Sequence, residues 1–158
     1  MEKKEEYFMK IALKEAEKAY KNGEVPVGCV IIKDGKVIGR GHNKKEKLKK
    51  ATSHAEIIAL ERACQRSGDW RLEGCEIFIT LEPCVMCAGA IKEARIKKIY
   101  FGAFDEKNGY SLYLKDFFKD EEVKGGILEK EARELLKNFF KDLRRGAGVD
   151  ERDGLENR

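Results

Sequence analysis

The chain has only two histidines, His42 and His54, and five cysteines. His54 opens the triplet His54-Ala55-Glu56, and thirty positions later comes Pro83-Cys84-Val85-Met86-Cys87. Two cysteines three apart at a helix start lie on one face, so both sulfurs reach one ion. The partial positive charge of a helix N-terminus favours thiolate over thiol. His54, also expected at a helix start, supplies a third donor, and one nitrogen with two sulfurs suits Zn2+. Cys29 and Cys64 fall within hydrophobic patterns and Cys75 sits just before a strand, so none is a good fourth ligand. Three protein ligands keep one tetrahedral position for water, which marks a catalytic rather than a structural zinc, and zinc lowers the pKa of that water to about 7. Glu56, close to His54 but not a ligand, is the candidate to take the water's proton and hand it to a leaving group. A lone Cys-x-x-Cys also fits a redox pair or half of a structural zinc site, and a lone His-x-Glu says little. The two together, in this order, point to hydrolysis at a zinc centre.

These groups need a framework that a chain of 158 residues and 18.1 kDa can build as one domain. We place that domain at residues 1–145 and expect 146–158, low in apolar content, to be a frayed tail. A hydrophobic content of 42% allows a true core, while 39% charged residues and a mean hydropathy of −0.58 imply a densely charged surface. The net charge of +4 permits a nucleic-acid partner without arguing for one. No segment approaches the roughly 18 apolar residues of a membrane span, and Met1 to Glu6 lacks the apolar core of a secretory signal. An odd cysteine count argues against a disulfide scaffold and for a reducing, cytoplasmic setting.

Apolar residues Phe8, Ile11, Ala12, Ala16, Ala19 and Tyr20 recur at helical spacing, so Lys4 to Asn22 reads as an amphipathic helix. Val27–Lys33 and Lys36–His42 read as strands joined by an Asp34-Gly35 hairpin turn. A second helix is expected from Ser53, as N-cap, to about Arg66. Glu76–Leu81 follows as a strand. Pro83 fits the first turn of a helix whose body is Cys84–Ala94, and Lys98–Gly102 is a further strand. Residues 103–122 suggest a loop with a short helix, Val123–Leu128 a weak edge strand, and Glu129–Arg145 a long helix. The alternation of strand and helix implies an α/β fold with helices on both faces of the sheet, and the opening hairpin makes that sheet mixed.

The pairing of His-x-Glu with Pro-Cys-x-x-Cys is the mark of zinc nucleobase deaminases. With Asn22-Gly23-Glu24-Val25-Pro26-Val27-Gly28, Gly41-His42-Asn43, Thr52-Ser53-His54-Ala55-Glu56 and Thr80-Leu81-Glu82-Pro83-Cys84-Val85-Met86-Cys87-Ala88-Gly89-Ala90, the chain resembles the cytidine deaminase superfamily. Within it, the bacterial tRNA-specific adenosine deaminases are the nearest likeness. The resemblance implies a three-layer α/β/α fold with a five-stranded mixed sheet, a Zn2+ cofactor, a homodimer and hydrolytic release of ammonia from an amidine carbon. It implies that His54, Cys84 and Cys87 hold zinc and that Glu56 shuttles protons. It further implies that Asn43 hydrogen-bonds the substrate nucleoside, that Val25 and Pro26 line the base pocket, and that Asp105 lies near the target nucleotide. The substrate so implied is adenosine in the tRNA anticodon loop, converted to inosine at the wobble position. A single-stranded loop lets that base enter a pocket without breaking a duplex.

Two basic stretches bear on RNA. Lys44 to Lys50 carries five lysines between two site segments, so Lys44, Lys45 and Lys47 are candidate phosphate contacts; a solvated loop is the plain alternative. Leu135 to Arg145 resembles the family's last helix, and Phe140 and Arg144 are its candidate RNA contacts, whereas core packing is the plain role for a phenylalanine there. The chain departs from its relatives at Lys50-Ala51, where they carry Asp-Pro, and at Phe117 to Val123, where they carry an Asn-His-Arg cluster. A free guanine, cytosine or nucleoside substrate therefore stays open, as does, less readily, a non-catalytic zinc-containing RNA-binding module.

Overall fold

The computed structural model describes residues 3–146. Residues 147–158, nearly all of the tail expected to fray, lie outside the described residues. The helices are α1 (Lys4–Lys21), α2 (Lys45–Leu48), α3 (Ala55–Ser67), α4 (Val85–Glu93) and α5 (Glu129–Gly146). The strands are β1 (Gly28–Lys33), β2 (Lys36–His42), β3 (Cys75–Leu81), β4 (Lys98–Ala103) and β5 (Glu122–Lys124). Asp34 and Gly35 have φ of 51° and 78°, the positive pair that a type I′ hairpin turn requires.

The five strands lie in the order β2-β1-β3-β4-β5. β1 runs antiparallel to both β2 and β3, while β3, β4 and β5 are mutually parallel, so the sheet is mixed as expected. Parallel neighbours need a crossover, and α4 supplies it between β3 and β4. Period-two alternation divides each central strand between two apolar layers. Cys29, Ile31, Ile77 and Ile79 join Ala55, Ala59 and Ala63 of α3 and Ile91 of α4. Val30, Ile32 and Phe78 pack against Phe8, Met9 and Ala12 of α1. α5 lies across α1 and β4, with Phe139 edge-on to Tyr20 at 5.6 Å. The result is the expected α/β/α sandwich.

Four local expectations are corrected. The N-cap of α3 is His54, not Ser53, and the N-cap of α4 is Cys84, which leaves Pro83 outside the helix rather than in its first turn. The edge strand β5 is only three residues long: Gly126 and Ile127 still donate to the Gly102 and Phe101 carbonyls of β4, but Gly126 at φ 87° takes the backbone out of the extended ladder. The lysine-rich stretch contains one helical turn, α2, held by a buried carboxylate described below.

β2 lies so close to α3 that a Cβ at Gly41 would sit 2.7 Å from the Ala55 carbonyl and 2.9 Å from the Ala59 nitrogen. That approach fixes the start of α3 against the sheet. Gly41→Ala must push the helix outward, at about 1–3 kcal/mol, and should lower Tm by roughly 5 °C in a thermal melt of the full chain.

Candidate active site

Two of the three candidate donors occupy the same kind of backbone position. His54 (φ −78°, ψ 155°) and Cys84 (φ −74°, ψ 175°) are both extended N-cap residues, so each side chain projects ahead of its helix. Neither side chain caps its own helix. His54 Nδ1 instead faces Cys84 Sγ at 3.7 Å and Cys87 Sγ at 3.5 Å. Tetrahedral zinc bonds of about 2.3 Å to sulfur and 2.0 Å to nitrogen separate those atoms by about 3.6 Å. The spacing and the chemistry of the donors therefore fit zinc. Among the described residues these three form the one cluster of metal-binding type, with all donor atoms within 4.8 Å of one another.

A histidine committed in this way leaves the first N–H of α3 without its usual cap. Asn43 fills the gap: its Oδ1 accepts the Ala55 N–H at 2.8 Å. The Asn43 Nδ2 is buried and finds no hydrogen-bond partner among the described residues. A buried donor of this kind is costly unless something else satisfies it. Glu56 follows at the second position of α3 and is fully buried. Its place in the first turn lets the helix dipole offset part of the cost of burying a carboxylate.

His54 and Cys84 line a pocket of about 310 Å³ together with Lys45, Val85, Met86, Asn108 and Tyr113. A second pocket of about 380 Å³ is mainly apolar and is lined by Val25, Leu81, Phe104, Asp105, Leu136 and Phe140 among others. Of the predicted residues, His54, Cys84 and Lys45 line the metal pocket and Val25, Asp105 and Phe140 the apolar one, whereas Glu56, Cys87, Asn43, Pro26, Lys44, Lys47 and Arg144 line neither; the 104–113 loop contributes to both cavities. Pro26 is buried at the approach to β1, where Thr80 Oγ1 accepts the Gly28 N–H at 3.1 Å. Asp105 lines the apolar pocket, and its Oδ1 accepts the Lys107 and Asn108 N–H groups at 3.1 and 2.9 Å. Phe139 is core, Phe140 is half-buried, and Arg144 is exposed near the end of α5. Lys44 and Lys45 are partly buried and Lys47 is exposed, but only Lys45 reaches the pocket beside His54.

His42 had no assigned role in the sequence. It is buried, and its Nδ1 lies 3.1 Å from Glu15 Oε1. Burial pushes the Glu15 carboxyl up, but hydrogen bonds from His42 and Lys18 outweigh it and hold the group at about 2. This contact ties the end of β2, just before Asn43, to α1. Sequence reasoning also passed over Glu24 and Glu82, both buried and both adjoining site motifs. For Glu82 the signal available was a glutamate beside Pro83 just after a strand; Glu24, two residues before Pro26, had none.

A profile of the cytidine and deoxycytidylate deaminase zinc-binding region matches residues 2–103. A tRNA-specific adenosine deaminase of Bacillus subtilis is 44% identical over 147 residues, covering 89% of this chain and 91% of the relative. One of Aquifex aeolicus is 45% identical, covering 88% and 95%. A solved structure from work on A-to-I editing by tRNA:A34 deaminases at the wobble position of transfer RNA superposes with a TM-score of 0.76. It shares 40% identity and covers 82% of this chain and 99% of its own.

Two measurements follow from this geometry. Zinc titrated into the metal-free protein should saturate at a single equivalent; Cys87→Ala should lose measurable binding, and Cys64→Ser, outside the cluster, should keep it. Glu15, held below its ordinary 4.5, contributes stability that is complete above that value and lost as pH falls toward about 2. Urea melts across that window should show a shallower acid decline for Glu15→Gln than for the unmodified protein.

Proposed function

This chain belongs to the cytidine and deoxycytidylate deaminase family, and we propose that it is a zinc-dependent hydrolytic deaminase that converts adenosine to inosine at the wobble position of tRNA anticodons. The observation that carries the reading is the cluster of His54 Nδ1 with two sulfurs at 3.5 and 3.7 Å, opening onto a pocket. Identity near 44% to tRNA-specific adenosine deaminases over nine-tenths of the chain supports the substrate.

His54, Cys84 and Cys87 hold the zinc in this reading. When bound, zinc supplies Lewis acidity that makes a water nucleophilic at neutral pH. The Glu56 carboxylate would take a proton from the attacking water and deliver it to the departing amine nitrogen, so that oxygen replaces the amine on C6 of adenine and ammonia leaves. The buried Asn43 Nδ2 donates to the substrate nucleoside, which satisfies a donor otherwise left unpaired. Val25, on the wall of the neighbouring apolar pocket, and Pro26, buried at the approach to β1, are the assigned contacts of the base in this reading. Asp105 shapes the rim through its turn, as its Oδ1 is engaged with backbone N–H groups.

The RNA itself meets a basic and aromatic margin. Lys45 lines the metal pocket, with Lys44 and Lys47 beside it in sequence, and these ammonium groups suit anticodon phosphates. Phe140, on the wall of the apolar pocket, offers a stacking face, and Arg144 extends the margin along α5. We assign the deaminase domain to residues 1–145. A homodimer is supported by exposed Trp70 on a groove of about 620 Å³ that Ile57, Leu60, Cys64 and Ala90 also line. None of the five cysteines, all among the described residues, is in a disulfide, which suits a reducing cytoplasm, and among the described residues no helix is long and apolar enough to cross a membrane.

The test is incubation of the zinc-loaded protein with an adenosine-containing anticodon stem-loop and with a panel of free bases and nucleosides, read by the mass change of amine-to-oxygen exchange. The stem-loop should convert. Conversion of the small molecules alone would replace the substrate in this reading, and no conversion at all would favour a non-catalytic RNA-binding role. Glu56→Ala should retain zinc and lose about 10²–10⁴ in rate; loss of the metal instead would remove Glu56 from the proton transfer.

A further inference from the structure

Two carboxylates of this chain are buried near the metal pocket, and the proton transfer uses neither. Glu82 is 2% exposed and Glu24 is 3% exposed. A buried carboxylate is costly unless donors surround it, and here backbone donors do. Glu82 Oε1 accepts the Asp105 N–H at 3.1 Å. Its Oε2 accepts the Ser111 N–H at 3.2 Å and the Ser111 hydroxyl at 2.6 Å. The loop closes so tightly on this carboxylate that a Cβ at Gly109 would lie 2.4 Å from Glu82 Oε1. Tyr110 N–H donates to the Pro83 carbonyl at 2.9 Å, and the Tyr113 hydroxyl donates to the Lys107 carbonyl at 2.7 Å, which completes the bracing. Glu24 does the same on another segment: its two oxygens accept the Glu46 and Lys47 N–H groups at 3.0 and 2.8 Å and so hold α2.

The segments held in this way carry the rim of the metal pocket. Lys45 stands on α2, and Asn108 and Tyr113 stand on the loop braced by Glu82. That same loop gives Phe104, Asp105, Glu106 and Lys107 to the apolar pocket. Neither segment has much core of its own: the residues from 104 to 113 are mostly exposed or half-buried, and none of α2 is buried. The two carboxylates are their buried anchors; the remaining ties are hydrogen bonds within each segment or to adjoining backbone and the edge contacts of Phe104 and Tyr110.

We propose that Glu24 and Glu82 are positioning residues, two buried clamps that set the rim of the metal pocket in the shape that receives substrate. The inference rests on the RNA-deaminase reading for its substrate, but the clamping itself does not. Neither residue touches the reacting atoms. Each acts through the backbone it holds, so its effect falls on substrate binding rather than on the chemical step.

The test uses the zinc-loaded full chain as Glu24→Gln, Glu82→Gln and Ser111→Ala, with three readouts: steady-state kinetics on the anticodon stem-loop, zinc content, and hydrogen–deuterium exchange. Each glutamine variant should raise KM about tenfold with kcat and zinc content unchanged, as loss of a charge-assisted hydrogen bond requires. Exchange should quicken in residues 45–48 for Glu24→Gln and in 104–113 for Glu82→Gln. Ser111→Ala, which removes only one hydroxyl, should move KM several-fold the same way and keeps the test alive if Glu82→Gln does not fold. Unchanged exchange would refute the clamps. Faster exchange with KM unchanged would refute their role in binding, and so would loss of zinc or a fall in kcat alone. If the unmodified enzyme were inert on the stem-loop, the functional reading would fall while the exchange data still judged the clamps, with KM then measured on whichever substrate of the panel converts.

Discussion

One nitrogen and two sulfurs must come within about 3.6 Å of one another to share a tetrahedral ion, and here they come from two separate helix starts. That requirement governs much of the architecture. His54 and Cys84 sit one residue ahead of α3 and α4, and those helices pack on the same face of the sheet. The sheet order brings their starts together, because β3 lies against β1 and β1 against the strand that leads into α3. Gly41 permits the close contact of β2 with α3, and Asn43 replaces the cap that His54 gives up. Each of these features answers the same demand for fixed donor geometry.

Much of this was legible in the residues. β-branched runs around Asp34-Gly35 specify the hairpin, apolar spacing at 3.6 marks α1 and α5, and the His-x-Glu and Cys-x-x-Cys pairs identify the donor set. The misses share a cause. A sequence shows the propensity of Ser53 to cap a helix, but not that Asn43, distant in the chain, already meets the first N–H of α3. Lys45 to Leu48 has no local signal for helix, since α2 depends on the Glu24 carboxylate. His42 reads as an ambiguous strand end until Glu15 is seen beside it. Long-range hydrogen bonds to buried side chains leave no periodicity to read.

The buried acidic groups show how this small domain fixes irregular backbone. Glu15 meets a histidine and a lysine, while Glu24 and Glu82 meet backbone N–H groups. Glu24 and Glu82 each hold a segment that has little apolar surface to bury. Hydrophobic packing fixes the sheet and its helices, and charge-assisted hydrogen bonds fix the loops between them.

The placing of the donors also has a consequence for assembly. His54 precedes Cys84 and Cys87 in the chain, and the imidazole meets the sulfurs only once β3 has settled beside β1. That pairing is non-local and closes a long loop before it gives any return. The three donors therefore meet at one ion only in the assembled sheet, and the site belongs to the paired topology rather than to either helix start alone.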